Sequence, residues 1–197
     1  MPDDLTRGAP LYVREENFTY DKYAEIPDDG YRYEVLDGVL ELMSGPNASH
    51  QTVSIEMAFL LKQTCNQQYL ILTAPLDVIL SPTNVLQPDL IMIHRSRTDI
   101  VTRRGIEGPP DLVVEVLSPH SRRRDKVKKS KTYASHGIPE YWIVDIGSRT
   151  LERLLLSDAG MYEIADLFGE EDEVVSERLP RVSFKTSALF VDVFPNI

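Results

Sequence analysis

Residues 111–145, DLVVEVLSPHSRRRDKVKKSKTYASHGIPEYWIVD, decide the architecture. The first seven are almost all β-branched or leucine, a run that reads as a strand buried on both faces at the centre of a mixed or parallel sheet. Ser118-Pro119-His120-Ser121 carries helix-start signals with Ser121 as N-cap, and the helix runs over about 122–135. Gly137 stops it in the C′ manner. Residues 140–145 return as a second apolar strand. Strand, helix and strand in this order imply parallel neighbours joined by a right-handed crossover. One residue of the first strand is out of place: Glu115.

Working upstream, YRYEVLDGVLELMS (31–44) alternates around Asp37-Gly38, which favours a tight hairpin with strands at about 31–36 and 39–44. Residues 48–67 place Val53, Met57, Leu60, Leu61 and Thr64 at helical spacing. One strand is expected over 69–80, closed by Ser81-Pro82-Thr83-Asn84, and another over 88–94. Residues 1–27 read as a leader with a helical piece. Downstream, strands at about 150–156, 161–166 and 173–178 form an antiparallel extension, and RVSFKTSALFVDVF is a closing segment of mixed signal. The expected class is α/β (α+β), a mixed sheet flanked by helices. No internal repeat is evident, so a single domain over 1–197 is expected: leader 1–27, core 28–165 and C-terminal extension 166–197.

Composition narrows the function. The chain is 42% hydrophobic and 26% charged, as in ordinary globular proteins. No run approaches the ~20 apolar residues of a membrane span. The acidic start MPDDLTRGAP lacks a signal-peptide pattern, so the expected location is the cytoplasm. A single cysteine, Cys65, excludes an internal disulfide and reads as packing. The net charge of −10 is unusual for a nucleic-acid binder. Yet seven of the ten residues in 122–131 are Arg or Lys, a third of the 21 in the chain. Such a protein can bind phosphate on that strip, and is expected to need divalent cations, or a partner, to approach a polyanion.

Asp89 and Glu115 stand in, or at the start of, apolar strands. A buried unpaired carboxylate costs several kcal/mol, so it is protonated, paired or bound to a cation. A buried ion pair would account for Glu115 alone, and turn amides for Asp89 alone. Together, on adjacent strands, they make a site that Mg²⁺ accepts with water and phosphate oxygens, and a nearby lysine would complete it. His94, His120 and His136 have no metal-ligand spacing, and Tyr141 and Trp142 read as core.

The segments YEVLDGVLELMSGPNASHQ (33–51), NVLQPDLIMI (84–93), PPDLVVEVLSPHSRRRD (109–125) and YASHGIPEYWIVD (133–145) resemble the Uma-type restriction-endonuclease domain family of the PD-(D/E)XK nuclease superfamily. The resemblance covers roughly residues 30–165. It implies a restriction-endonuclease-like core of helix, three strands, helix and strand, met here by 48–67, 69–80, 88–94, 111–117, 122–135 and 140–145. The superfamily aspartate falls on Asp89 and the glutamate on Glu115. The lysine usual two residues later is Leu117 here. The resembled family instead places a lysine on the next helix, four residues after an Asp and four before a Tyr. Asp125, Lys129 and Tyr133 fit that pattern on one helical face, opposite Val127, Ser130 and Ala134. Lys126 and Lys128 are alternatives, and Lys131 a weaker one.

Glu34 matches an acidic position of the family's hairpin and is expected as a further metal ligand; the plainer reading is an exposed polar residue. His50 is placed to touch phosphate or pack at the helix entry, and Gln87 to hydrogen-bond the site. The implied function is a Mg²⁺- or Mn²⁺-dependent endonuclease cleaving nucleic acid, with DNA expected, catalysed by Asp89, Glu115, Lys129 and Glu34. Arg122, Arg123, Arg124, Lys126 and Lys128 would guide the backbone, and a homodimer is expected. Two alternatives need no catalysis: an inactive binding or regulatory module of the same fold, and a basic surface for an acidic protein partner.

Overall fold

The computed structural model describes residues 18–118 and 122–194. A short helix α1 (Tyr20–Ala24) is the helical piece expected in the leader, whose earlier residues lie outside the described ones, as does the expected cap Ser121. The hairpin follows as β1 (Arg32–Leu36) and β2 (Val39–Met43), with Leu36 opposite Val39 and Glu34 opposite Glu41. Asp37 and Gly38 take φ of 52° and 75°, the left-handed pair that a two-residue turn needs to match strand twist. Helix α2 (Ala48–Cys65) starts at Asn47, whose side chain accepts from the His50 N–H at 2.9 Å. It buries Ser49, Val53, Met57, Leu61 and Cys65 at four-residue intervals, so Cys65 is packing.

The stretch 69–80 is not one strand. It divides into β3 (Tyr69–Thr73) and β4 (Val78–Ser81), which belong to different sheets. Pro75 lies in the break and has no N–H to donate to a ladder. The turn at Ser81-Pro82-Thr83 leads into an unforeseen strand, β5 (Asn84–Leu86). Strand β6 (Leu90–His94) starts just past Asp89, and a 3₁₀ stretch (Arg95–Ile100) leads to the two-residue β7 (Ile106–Glu107) and then β8 (Leu112–Leu117). The following helix is π-wound over Arg124–Lys129 and continues as α3 (Ser130–Ser135). Strands β9 (Glu140–Asp145), β10 (Thr150–Leu156), β11 (Tyr162–Phe168), β12 (Glu173–Val175) and β13 (Ser183–Lys185) complete the set, with a closing 3₁₀ turn at Thr186–Phe190.

Six strands form a mixed sheet in the order β11-β10-β9-β8-β6-β3, in which β8 and β9 are parallel neighbours as the strand–helix–strand pattern requires. Five more form a second sheet, β2-β1-β5-β4-β7. Strand β8 is buried along its length, and pleating sends its residues to alternate faces. Leu112, Val114 and Val116 pack with Trp142 and Val144 beneath α2. Val113 and Leu117 pack on the other side with Tyr133, Tyr141 and Ile143, and with Val78, Leu86 and Ile106 of the second sheet. Glu115 shares that side. Its carboxylate is thereby delivered to the junction of helix and two sheets. Among the described residues, no helix is long and apolar enough to cross a membrane.

Candidate active site

Lys129 is fully buried, and its Nζ lies 2.8 Å from Glu115 Oε1, 2.8 Å from Glu34 Oε1 and 4.0 Å from Asp125 Oδ1. Tyr133 donates its hydroxyl to Glu115 Oε1 at 2.7 Å. The four-residue steps from Asp125 to Lys129 to Tyr133 put all three on the buried side of the helix, and Val127 is 61% exposed on the other. Ala134, expected beside Val127, is buried together with Thr132, because α3 also packs against β11. Glu34 is buried, not exposed, and also accepts from the Gln87 backbone N–H at 2.7 Å. The Gln87 side chain accepts from Arg32 Nε at 3.0 Å and donates to Asp77 Oδ1 at 2.8 Å.

Two carboxylates compete for one ammonium. Burial pushes the Glu34 carboxyl up, but Lys129 and then Arg124 outweigh it and hold it below its usual range. Burial raises Glu115 to about 8; Lys129 opposes this, while Asp125, Asp89 and Glu34 add to it. Burial disfavours the Lys129 cation, yet Glu115 and Glu34 keep it firmly charged. Glu34 is therefore the better stabilised anion of the pair, and Glu115 the carboxyl that burial makes easier to protonate.

Asp89 ends the chain's approach to β6. Its Oδ2 accepts from the Val116 N–H at 2.8 Å and lies 3.1 Å from His50 Nε2. Burial pulls the His50 imidazole down, but the Asp89 hydrogen bond and charge outweigh it and raise its pKa. The Asn47 cap fixes the backbone at His50, so α2 presents that ring to the aspartate.

An open cleft of about 380 Å³ lies here, lined by Asp89, Glu115, Asp125, Arg124, Arg32 and His50, with Ser44–Asn47 at its rim. Asp89 and Glu115, the acids the sequence singles out, thus share one wall. Lys129 and Glu34 sit behind it. Three participants were not foreseen there: Asp125 as a wall residue, Arg32, and the buried Glu41 opposite Glu34. The hairpin register held the signal for Glu41, since facing glutamates repel unless a cation joins them. Arg124 NH1 supplies it, 3.8 Å from Glu34 Oε2 and 3.9 Å from Glu41 Oε2, and Lys128 Nζ lies 3.0 Å from Glu41 Oε1. The rest of the basic strip is also engaged: Arg122 pairs with Asp145 at 2.5 Å and Lys126 pairs with Glu152. Arg123 is exposed.

Among the described residues, no three His, Cys, Asp or Glu side chains form a ready metal cage. Two cleft carboxylates still fit Mg²⁺, which takes one or two carboxylates and fills its remaining positions with water and phosphate oxygens.

No curated protein matches the chain. Among solved structures, it is similar to a protein from Anabaena variabilis described as "a putative nuclease belonging to DUF820", with TM-score 0.72 and 18% identity over 87% of this chain and 97% of that one. At that identity the likeness establishes the fold. The model of the Uma2 family, described as "Putative restriction endonuclease", matches residues 20–188, and the chain belongs to that family.

Proposed function

We propose that the chain is a metal-dependent endonuclease hydrolysing phosphodiester bonds in DNA, with Asp89 and Glu115 as the carboxylates for Mg²⁺ or Mn²⁺. The observation carrying this reading is the meeting of those two acids, one just before β6 and one on β8, with Arg124 on the wall of one solvent-open cleft. A divalent ion bound there supplies Lewis acidity and lowers the pKa of a bound water.

The protein groups divide the remaining work. Arg124 presents a guanidinium inside the cleft, suited to the charge that develops on a phosphoryl oxygen. Lys129 is a positioning residue: buried behind Glu115, it fixes that carboxylate and offsets its charge, with Tyr133 steering the same oxygen. Glu34 anchors Lys129 rather than facing the cleft. The Val116 N–H and His50 orient Asp89. We place the protein in the cytoplasm, as one domain and as a homodimer.

The test is isothermal titration of Mn²⁺ into the wild type, Asp89→Ala and Glu115→Gln, with plasmid cleavage measured alongside. Saturable binding in the wild type, lost in both variants together with cleavage, is the expected result. Wild-type protein that binds no Mn²⁺, with or without DNA, would reduce the chain to the binding-module reading, which the net charge of −10 and Leu117 in place of the usual lysine favour.

A further inference from the structure

The cleft continues past His50. A second hollow of about 380 Å³ adjoins it, and both are lined by Arg32, Pro46, His50 and Asp89. One wall is the outward side of α2, where Gln51, Ile55, Phe59 and Lys62 recur at helical spacing opposite the buried Val53, Met57 and Leu61. The facing wall is Thr73-Ala74-Pro75, where β3 ends. Ile55 is 62% and Phe59 54% exposed. Leaving such side chains in water forgoes part of the ~1.5–3 kcal/mol that each gains on full burial. The hollow thus has an apolar, aromatic wall and a cation at each end: Arg32 beside the cleft and Lys62 further along the helix. Asp89 at the shared end is its one lining carboxylate among the described residues.

We propose that this hollow binds an unpaired nucleotide of the substrate strand, with its base against Phe59 and Ile55 and its flanking phosphates near Arg32 and Lys62. The preferred substrate is then single-stranded or locally unpaired DNA. Assigning the nucleotide to a substrate strand rests on the nuclease reading of the adjoining cleft. Two observations carry the inference. First, a duplex keeps its base faces stacked inside and offers nothing to an apolar wall, whereas an unpaired base presents a π-face. Second, duplex affinity depends on many phosphate contacts, and the densest cationic strip, 122–131, is largely occupied by acids of this chain. Stacking beside a few cations suits a single strand better. Phe59 lies nine residues beyond His50, about 13 Å along the helix axis, so the base it meets flanks the bond to be cut.

The experiment is fluorescence anisotropy of the full chain in EDTA with a short fluorescein-labelled single strand and with its duplex. Wild type, Phe59→Ala and Phe59→Trp are compared, with circular dichroism confirming each fold. The single strand should bind more tightly than the duplex. Phe59→Ala should weaken single-strand binding roughly tenfold and leave duplex binding within about twofold. Phe59→Trp should retain affinity, with its indole emission quenched by unlabelled strand. Equal affinity for both forms, indifference to Phe59→Ala, or no single-strand binding by the wild type would overturn the proposal. So would Phe59→Ala turning a dimer into a monomer by light scattering with nucleic-acid binding unchanged, since a second copy would then be the occupant. Cleavage that depends on Asp89 while binding ignores Phe59 sinks the hollow and keeps the nuclease. Phe59-dependent binding without any cleavage does the reverse.

Discussion

Lys129 Nζ stands 2.8 Å from both Glu34 Oε1 on β1 and Glu115 Oε1 on β8, so one ammonium joins the two sheets. Removing it leaves two buried carboxylates facing each other in a medium of low polarity. Lys129→Met should therefore cost about 3–5 kcal/mol, a large part of the ~5–15 kcal/mol that a typical domain has. Urea unfolding would show this as a lower midpoint. Adding Glu34→Gln should restore part of the loss, because the double variant no longer carries the strongest uncompensated charge.

Glu115 yields a prediction of opposite sign. Burial, the largest cause, pushes its carboxyl up to about 8 in the fold from an ordinary 4.5. The native state thus holds this proton more tightly than the unfolded chain. The resulting stabilisation is full below 4.5 and lost as pH rises from 4.5 through 8. Glu115→Gln keeps a neutral side chain at every pH. Thermal unfolding should find it nearly as stable as wild type at pH 5 and more stable at pH 9, on the order of a few kcal/mol. A difference that does not change with pH would show that Glu115 is ionised throughout.

His50 reports on Asp89. Its raised pKa means that the Asp89 contact stabilises fully below the unfolded histidine value of 6.5 and fades as pH climbs through the folded value. The cost of His50→Gln should be roughly 1 kcal/mol at pH 6 and smaller at pH 9. Parallel denaturant curves at the two pH values decide it.

The basic strip gives a prediction about salt. Lys126 is paired with Glu152 and Arg122 with Asp145, so neither cation is a bare phosphate contact. Glu152→Gln and Asp145→Asn should each tighten binding to duplex DNA, and each released cation should steepen the slope of log K against log salt by about 0.9. If neither affinity nor slope moves, the strip does not face nucleic acid.

Much of this site was legible because charge in an apolar run is costly. Glu115 within DLVVEVL had to have a partner, and the family resemblance pointed to Lys129, which lies 2.8 Å from it. Asp37-Gly38 fixed the hairpin through backbone angles few other residue pairs adopt. The second sheet was not legible. Strands β4, β5 and β7 have four, three and two residues, too short for a periodic signal, and the pairings of β5 with β1 and of β7 with β4 are long-range. Without that sheet, Glu34 read as plausibly exposed as buried. The π winding of Arg124–Lys129 left no local signature either.

Glu115 and Lys129 are 14 residues apart, but Glu34 precedes Lys129 by 95. During synthesis, both acids leave the ribosome before the lysine that reconciles them. A stalled or truncated product ending short of the helix has the carboxylates and no counter-cation, so its two sheets lack this ionic link. Competence at this centre is thus tied to the progress of translation: an unfinished copy is an unarmed one.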